Sequence, residues 1–515
     1  MKEVVRSMIK DGAVFGVVGV CGANGNLVAR ILSERGYDVI GIDSSSKEDC
    51  RFIKSLEGYD IELFFGKNPD DDFFKRIDYL VPPLSLSEDS EIFKKAMGTD
   101  VDVFSVYDVI DNFKPSKPVF GITGTNGKTT STELLKKIAY DNNINPSEHN
   151  LEGMQGNAEF IPILQSRLDG DVGILEIGTF GVPGSIKRIA DNVDLQSGLI
   201  TNITEDHLNN LSGFLEYAKV KGEFIEGLRG KQIIVNANDP TIMGLLRDLN
   251  YDGQVITFRV EGPSIGTSPK KCVCGEIIDV REIISGSGFY FCKCGITTPQ
   301  TDYIATNVDL DNKKFDLFTP SGKIEVEMQL DGIHNVYNVV GVIIAAHEFL
   351  NLDYDKILNS IASFTGVSGR MEKITTINGK DVIVDFAHNP AGVKTVLTAF
   401  KKLFGDITTV ITISSESGEE GDLEIFENVL ELSSYVVPAS SASQKIAKKV
   451  IDENPSIKDR IILNSIDEDF VKEGTIGATP EEVKKGVEDA LTIDCNKIIV
   501  IGEAGTKFKN SILDI

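Results

Sequence analysis

Gly121-Ile122-Thr123-Gly124-Thr125-Asn126-Gly127-Lys128-Thr129-Thr130 follows the apolar pair Val119-Phe120 and opens a helix-like segment running from Thr130 to Tyr140. A strand, a glycine-rich turn and a helix N-terminus in that order bind phosphate. The glycines let backbone N–H groups converge on phosphate oxygens, and the helix dipole favours negative charge there. Lys128 is placed to reach the β- and γ-phosphates and the Thr129 hydroxyl to ligate Mg²⁺, so the expected ligand is a nucleoside triphosphate. The spacing departs from G-x-x-x-x-G-K-[ST]: the first glycine position falls on Ile122, with Gly121 and Gly124 on either side. The competing reading is a Gly/Thr-rich turn that binds nothing, and the strand before and helix after argue against it.

At 515 residues the chain is long enough for about three or four domains, and its 41% hydrophobic content supplies several cores. The 52 basic and 78 acidic residues leave a formal charge of −26, which repels nucleic acid at long range and disfavours polyanion binding as a function. No apolar run approaches the ~18 residues needed to span a bilayer, and Met1 to Asp11 lacks the apolar stretch of a signal peptide. A cytoplasmic enzyme without a membrane span is expected.

Three α/β segments follow one another. The first opens with Ala13 to Val20, then Gly19-x-x-Gly22-x-x-Gly25, a helical Leu27 to Arg35 and the strand Val39 to Ile42 ending at Asp43. That is a βαβ nucleotide-fold signature, although the glycine spacing is not that of a dinucleotide fingerprint. Lys114-Pro115-Ser116-Lys117-Pro118 reads as a linker. The second segment has strands at Val172 to Ile177, Gly198 to Ile203 and Gln232 to Val235, each followed by polar residues, as in a parallel sheet with ligands at its carboxyl edge. The third begins near Gly366, with strands at Asp381 to Val384, Thr408 to Ile413, Tyr435 to Val437 and Lys497 to Ile501. In the second, the strand ends deliver Glu176 and Thr204-Glu205-Asp206-His207, oxygen-rich stretches suited to Mg²⁺; His207 in isolation reads more readily as a structural histidine.

Eight ordered strings then resemble one family. They are Gly124 to Thr129, Glu176, Asn202 to Leu208, Tyr217 to Lys221, Asn236 to Pro240, Gly332 to Asn338, Gly369 to Glu372 and Val384 to Pro390. Together with the T-G-T-N-G-K-T-T loop, they are similar to the signatures of the Mur ligases, ATP-dependent peptide-bond-forming enzymes of cell-wall precursor synthesis. The resemblance implies that Gly124, Thr125, Asn126, Gly127, Lys128, Thr129 and Thr130 hold the phosphates of ATP, and that Thr129 and Glu176 ligate one Mg²⁺. It places His207 on a second Mg²⁺ together with a carbamylated lysine, for which Lys221 is the match and Lys219 the alternative; an exposed helix lysine is the bland reading. Asn157 resembles the asparagine near the γ-phosphate and acceptor carboxylate, Asn335 and Asn338 fall where the family contacts adenine, and Arg370 and Asp385 resemble residues that engage the nucleotide from the linker and C-terminal domain. Gly19, Gly22, Gly25 and Asp43 would contact the acceptor. His388 lies in the last signature without an assigned role.

Seven cysteines do not form a secreted disulfide framework, because four crowd into Cys272-Val273-Cys274-Gly275 and Cys292-Lys293-Cys294-Gly295. Four thiolates in two tight turns suit a closed tetrahedral Zn²⁺ site, against free thiols or one disulfide. A similar Cys-rich insertion occurs in Mur-ligase relatives that amidate lipid-linked precursors and in archaeal pseudomurein peptide ligases. Ser414 to Glu420 is acidic and Gly502-Glu503-Ala504-Gly505-Thr506-Lys507 replaces the G-K-G-H-E type of loop. An acidic rim suits an amine-bearing incoming residue, or is plain solvated surface.

The expectation is therefore an α/β monomer of three domains. Residues 1–116 form a Rossmann-like acceptor domain, 117–366 a central P-loop ATPase domain with a mostly parallel sheet and a Cys₄ insertion about 268–300, and 367–515 a Rossmann-like domain for the incoming amino acid. The resemblance implies an ATP-dependent ligase that adds a free amino acid to a UDP-linked peptide precursor through an acyl phosphate, with two Mg²⁺ and a structural Zn²⁺, in the pseudomurein branch. The alternatives are a muramyl-peptide ligase, a cyanophycin- or folylpolyglutamate-synthetase-like enzyme, or a non-catalytic ATP-binding scaffold or amidase-partner subunit.

Overall fold

The computed structural model describes residues 9–87, 89–152, 154, 156–157, 160–206, 213–414, 417–463 and 477–515. Its contacts gather into two compact units, Met1–Gly121 with Asn142–Gly178 and Lys187–Gln196, and Ile122–Asp141 with Thr179–Ile186 and Ser197–Ile515. The borders expected at 116/117 and 366/367 fall in stretches with neither helix nor strand, and the second lies inside the second unit.

In the first unit β1 (Val14–Val18), β2 (Asp38–Ile42), β3 (Ile61–Phe64), β4 (Tyr79–Val81) and β5 (Asp102–Val103) make a parallel sheet of order β3-β2-β1-β4-β5. β1 is apolar on both faces, as a strand covered by helices must be. The turn after it closes when Gly22 donates its N–H to the Gly19 carbonyl (3.0 Å), and helix Ala23–Glu34 follows. Gly25 permits that closeness: a Cβ there would lie 2.3 Å from the Gly19 oxygen. Cys21, in the same turn, is disulfide-bonded to Cys50, a pairing that the cysteine spacing alone did not reveal.

The large sheet contains β6 (Val119–Thr123), β7 (Gly173–Glu176), β8 (Ser197–Ile200), β9 (Gln232–Asn236) and β10 (Gln254–Val260). An insertion, β11 (Gly266–Lys271), β12 (Ile277–Ile284) and β13 (Ser287–Tyr290), forms its own three-stranded antiparallel sheet before the chain returns as β14 (Tyr303–Asp309), β15 (Lys314–Thr319) and β16 (Gly322–Glu327). The large sheet runs β16-β15-β14-β10-β9-β8-β6-β7, parallel through β8, β9, β10 and β14 and antiparallel at the β14–β16 end. Helix Ile333–Glu348 carries the run Val339 to Ala346, apolar all round and fully buried, as a helix at the centre of a domain must be.

The last sheet contains β17 (Glu372–Ile377), β18 (Lys380–Asp385), β19 (Thr408–Ile411), β20 (Tyr435–Pro438) and β21 (Lys497–Ile501) in the order β17-β18-β21-β19-β20, with β17 antiparallel to β18. Period-two alternation divides β18 between two cores: Ile383 packs with Val393, Leu397 and Phe400, whereas Val382 and Val384 pack with Val487 and Ile498. No helix among the described residues is long and apolar enough to cross a membrane.

Candidate functional site: a phosphate loop facing an asparagine-lined cavity

β6 ends in the loop at Gly124 to Gly127, and helix Lys128–Asp141 starts at Lys128. Gly127 has φ +85°, and a Cβ on it would lie 2.2 Å from Asn338 Oδ1, so only glycine lets the loop pass this close to the helix that follows β16. The strap after β8 laces the loop in place. Asn126 N donates to Asn202 Oδ1 (3.0 Å), Asn202 Nδ2 and Thr201 Oγ1 donate to Asn126 O (2.9 and 2.6 Å), and Thr204 N donates to Thr125 Oγ1 (3.1 Å). Lys128 Nζ donates to Thr125 O at 2.8 Å. Lys221, on helix Phe214–Gly227, is 1% exposed and donates to Gly124 O at 2.9 Å, whereas Lys219 on the same helix is exposed. The two lysines left open by sequence thus differ sharply in position.

One cavity within the second unit is lined by Asn126, Gly127, Thr129 and Thr130 of the loop and the helix it opens, and by Asn335, Asn338, Arg370 and Asp385. Asn338 Nδ2 donates to Asn335 Oδ1 (3.0 Å) and Asn335 Nδ2 to Asp331 O (2.8 Å), so the two amides hold each other's orientation. Asp385 accepts the N–H groups of Ala387 and Met371, both at 2.8 Å. Burial raises its pKa, and the Arg370 guanidinium, stacked 4.5 Å from the Phe386 ring centroid, opposes that rise. Burial pushes the His334 imidazole down to about 4, with Arg370 adding to the shift. Thr204 also lines the cavity, and its buried Oγ1 has no partner among the described residues, an orphan that a phosphate or hydrated cation would satisfy.

Asn389 falls in the last signature, Val384 to Pro390. Its amide pairs with that of Asn126 through two hydrogen bonds (3.1 and 3.2 Å) while its Oδ1 caps helix Pro390–Phe404 through Gly392 N (2.8 Å). Its Nδ2 also reaches Asp206 Oδ2 at 3.5 Å, where His388 Nε2 stands 3.8 Å away. Asp206 is 3% exposed and is the last described residue of the strap; the expected ligand His207 lies outside the described residues. Ser415 and Glu416 of the acidic string lie outside them too, while Glu419 and Glu420 occupy the first turn of helix Gly418–Leu432.

In the first unit Asn157 Nδ2 donates to Glu176 Oε1 at 2.8 Å. A second cavity there is lined by Gly19, Gly22 and Gly25 of the first turn with Pro83, Leu84 and Ser85. Asp43 is not in its wall: its oxygens accept Cys21 N and Ser45 N, both at 2.9 Å, so it fixes the turn from behind.

The four cysteines converge. Their Sγ atoms all lie within 4.8 Å of one another, with Cys272–Cys294 at 3.8 Å and Cys274–Cys292 at 3.6 Å. Zn–S bonds of about 2.3 Å in a tetrahedron give S···S edges of about 3.8 Å, so the donor set fits. The knuckles repeat one geometry: Gly275 N donates to Cys272 O and Gly295 N to Cys292 O, both 2.9 Å, with glycine φ of +95° and +94°. Arg247 donates to Cys294 Sγ at 3.0 Å; burial pushes that thiol up, but the guanidinium helps bring it down to about 6.

Residues 122–271 match the Mur ligase middle domain, and residues 369–468 the Mur ligase glutamate ligase domain. The structure is similar to a pseudomurein peptide ligase type C from Methanothermus fervidus, at 34% identity and TM-score 0.84, over 98% of this chain and 99% of that one. In sequence it is 25% identical to a UDP-N-acetylmuramoylalanine–D-glutamate ligase of Caldanaerobacter subterraneus over 98% of this chain and 99% of the relative. It is 23% identical to a UDP-N-acetylmuramate–L-alanine ligase of a Hydrogenobaculum species over 77% of each.

Proposed function

The chain belongs to the Mur ligase family of ATP-dependent acid–amino-acid ligases, and from that premise we propose that it extends a UDP-linked peptide precursor of pseudomurein by one amino acid. The supporting observation is the cavity that joins the phosphate loop to Asn335, Asn338, Arg370 and Asp385 in one wall, in a chain whose likeness to a pseudomurein peptide ligase runs end to end.

In this reading a carboxylate of the acceptor attacks the γ-phosphorus of ATP and ADP leaves. The amine of the incoming amino acid then attacks the acyl phosphate, losing a proton, and phosphate departs as the amide bond forms. Such chemistry rests on positioning and charge neutralisation and needs no nucleophilic side chain. Lys128 and the amides of Gly124 to Thr130 hold the phosphates, the Asn335–Asn338 pair faces adenine, and Arg370 and Asp385 engage the nucleotide from the linker and the C-terminal segment. Thr129 and Glu176 would hold one Mg²⁺, and His207 with a carbamylated Lys221 a second. Carbamylation suits Lys221 because it replaces a buried ammonium by an anionic oxygen ligand. Magnesium supplies charge neutralisation at the transferring phosphoryl group. Cys272, Cys274, Cys292 and Cys294 would hold a structural Zn²⁺ with four thiolates, which would leave no open position for a nucleophile. Asn157, hydrogen-bonded to Glu176, is assigned to the γ-phosphate side, and Gly19, Gly22 and Gly25 to the acceptor, with Asp43 supporting them. The full chain incubated with ATP, Mg²⁺, UDP-linked acceptors and a panel of amino acids tests this. Release of phosphate that requires both an acceptor and one amino acid is expected; ATP turnover indifferent to either would contradict it.

A further inference from the structure

Lys270 stands two positions before Cys272, at the end of β11, and its side chain is only 9% exposed. Its Nζ donates to Ile203 O, Asp239 Oδ1 and Gly286 O, each at 3.0 Å, which uses all three ammonium protons. The three acceptors belong to three different pieces of the second unit.

Ile203 sits in the strap between Asn202, bonded to the phosphate loop, and Thr204, bonded to Thr125. Asp239 is fully buried and caps helix Pro240–Asp248 through Thr241 N (2.8 Å). Its other oxygen accepts Ile203 N at 2.6 Å. The Lys270–Asp239 pair therefore holds both backbone polar groups of Ile203, the residue from which the strap runs on through Glu205 and Asp206. Gly286 belongs to the β12–β13 turn, whose Ile284 and Ser285 line the nucleotide cavity. Gly286 N in turn donates to Glu282 Oε1 (2.5 Å), and Lys394 of helix Pro390–Phe404 approaches Glu282 Oε2 at 4.0 Å.

We propose that Lys270 is a positioning residue through which the four-cysteine insertion sets the geometry of the strap and of one wall of the nucleotide cavity, so that occupancy of the knuckles is sensed at the ATP site. The bland alternative, an ion pair that only stabilises the insertion, would leave the carbonyl of Ile203 and the turn at Gly286 without consequence for the nucleotide. A metal at the knuckles fixes Cys272 and hence the backbone that delivers Lys270. When that backbone loosens, the clamp on Ile203 loosens with it. The inference rests on the ATP-dependent reading for its meaning, but not for its measurement.

The test is amide hydrogen exchange and Mg·ADP binding on the full chain, for wild type, Lys270→Met and Lys270→Arg, each before and after treatment with a zinc chelator. Lys270→Met should speed exchange at Ile203 and Thr204 at least tenfold and weaken Mg·ADP about tenfold, while protection within helix Lys128–Asp141 is kept. Lys270→Arg, which retains charge and donors, should recover much of both. Chelation of wild type should reproduce the Lys270→Met pattern, and chelation of Lys270→Met should add little, because the two changes act through one contact. Wild-type protein whose knuckles open on chelation with Ile203 protection and Mg·ADP affinity unchanged would overturn the proposal, and this arm holds even where the Met variant folds poorly. Knuckles that bind no zinc would overturn it as well. Loss of ligase activity in every preparation, with the exchange pattern intact, would instead count against the ligase reading.

Discussion

Lys128 is the residue on which the proposed chemistry leans most: its Nζ rests on Thr125 O, and the proposed function makes it the charge nearest the phosphates. Lys128→Ala should lower phosphate release by on the order of 10³-fold or more, the several kcal/mol that one charge contact to a transferring phosphoryl group supplies. Near-wild-type turnover in a folded variant would remove Lys128 from the chemistry. The two lysines of helix Phe214–Gly227 should behave differently: Lys221→Ala loses activity, with acetate partly restoring it in place of the carbamate oxygen, whereas Lys219→Ala, at an exposed position, leaves turnover intact. The reverse pattern would show that the wrong lysine carries the modification. His334 gives a pH signature. Its folded value of about 4 lies below its ordinary 6.5, so between those values the unfolded chain takes up a proton that the folded state refuses. The residue is therefore neutral to stability above about pH 6.5 and costs progressively more as the pH falls toward 4, up to roughly 3 kcal/mol. In urea unfolding, His334→Gln should gain on wild type as the pH is lowered from 7 to 4.5, and a pH-independent difference between the two would contradict the assignment.

Elements explain what a linear reading could and could not see. The strands of the parallel sheets were legible because buried parallel strands are continuous apolar runs: Val14–Val18 and Lys497–Ile501 fall inside their expected spans, and Gln232–Asn236 runs one residue past the expected Gln232 to Val235. β15 and β16 were not legible, because Lys314–Thr319 and Gly322–Glu327 interleave polar residues with apolar ones and carry no apolar run longer than two residues. The phosphate loop was visible from its glycines. The Asn126–Asn389 pairing was not, because residues 263 positions apart meet only through the fold. Lys270 was hidden for the same reason, as its three acceptors lie 67, 31 and 16 positions away. The hydrogen bonds that Asp43 accepts from the backbone amides of Cys21 and Ser45 were likewise beyond a linear reading. The Cys21–Cys50 bridge, 29 positions apart, should contribute about 3–4 kcal/mol by restricting the unfolded chain. Paired Cys21→Ser and Cys50→Ser changes should therefore lower the unfolding transition of the first unit by several degrees, and an unchanged transition would mean the bridge does not form in the protein. Zinc should be found at one equivalent per chain by elemental analysis, with Cys272→Ser destabilising the insertion; metal-free protein with four titratable thiols there would refute the site.

For the molecule as a whole, a charge of −26 coexists with a site for a polyanionic nucleotide. The local field of the loop amides and Lys128 must therefore prevail over a repulsive global one, and bound Mg²⁺ would add to it. At long range, before the local field is felt, the net charge governs the approach, so screening it with salt should quicken nucleotide association, the opposite of a basic nucleotide-binding surface, and this is checked by stopped-flow binding between 50 and 500 mM KCl. In the proposed function, ATP cleavage is spent on joining an amino acid to a UDP-linked acceptor. Mass spectrometry of the acceptor after incubation with the full chain, ATP, Mg²⁺ and the amino-acid panel tests it most directly. The expected result is a UDP-linked product heavier by one amino acid residue, formed in equal amount with phosphate and absent with Lys128→Ala. Phosphate released with the acceptor's mass unchanged across the whole panel would contradict it.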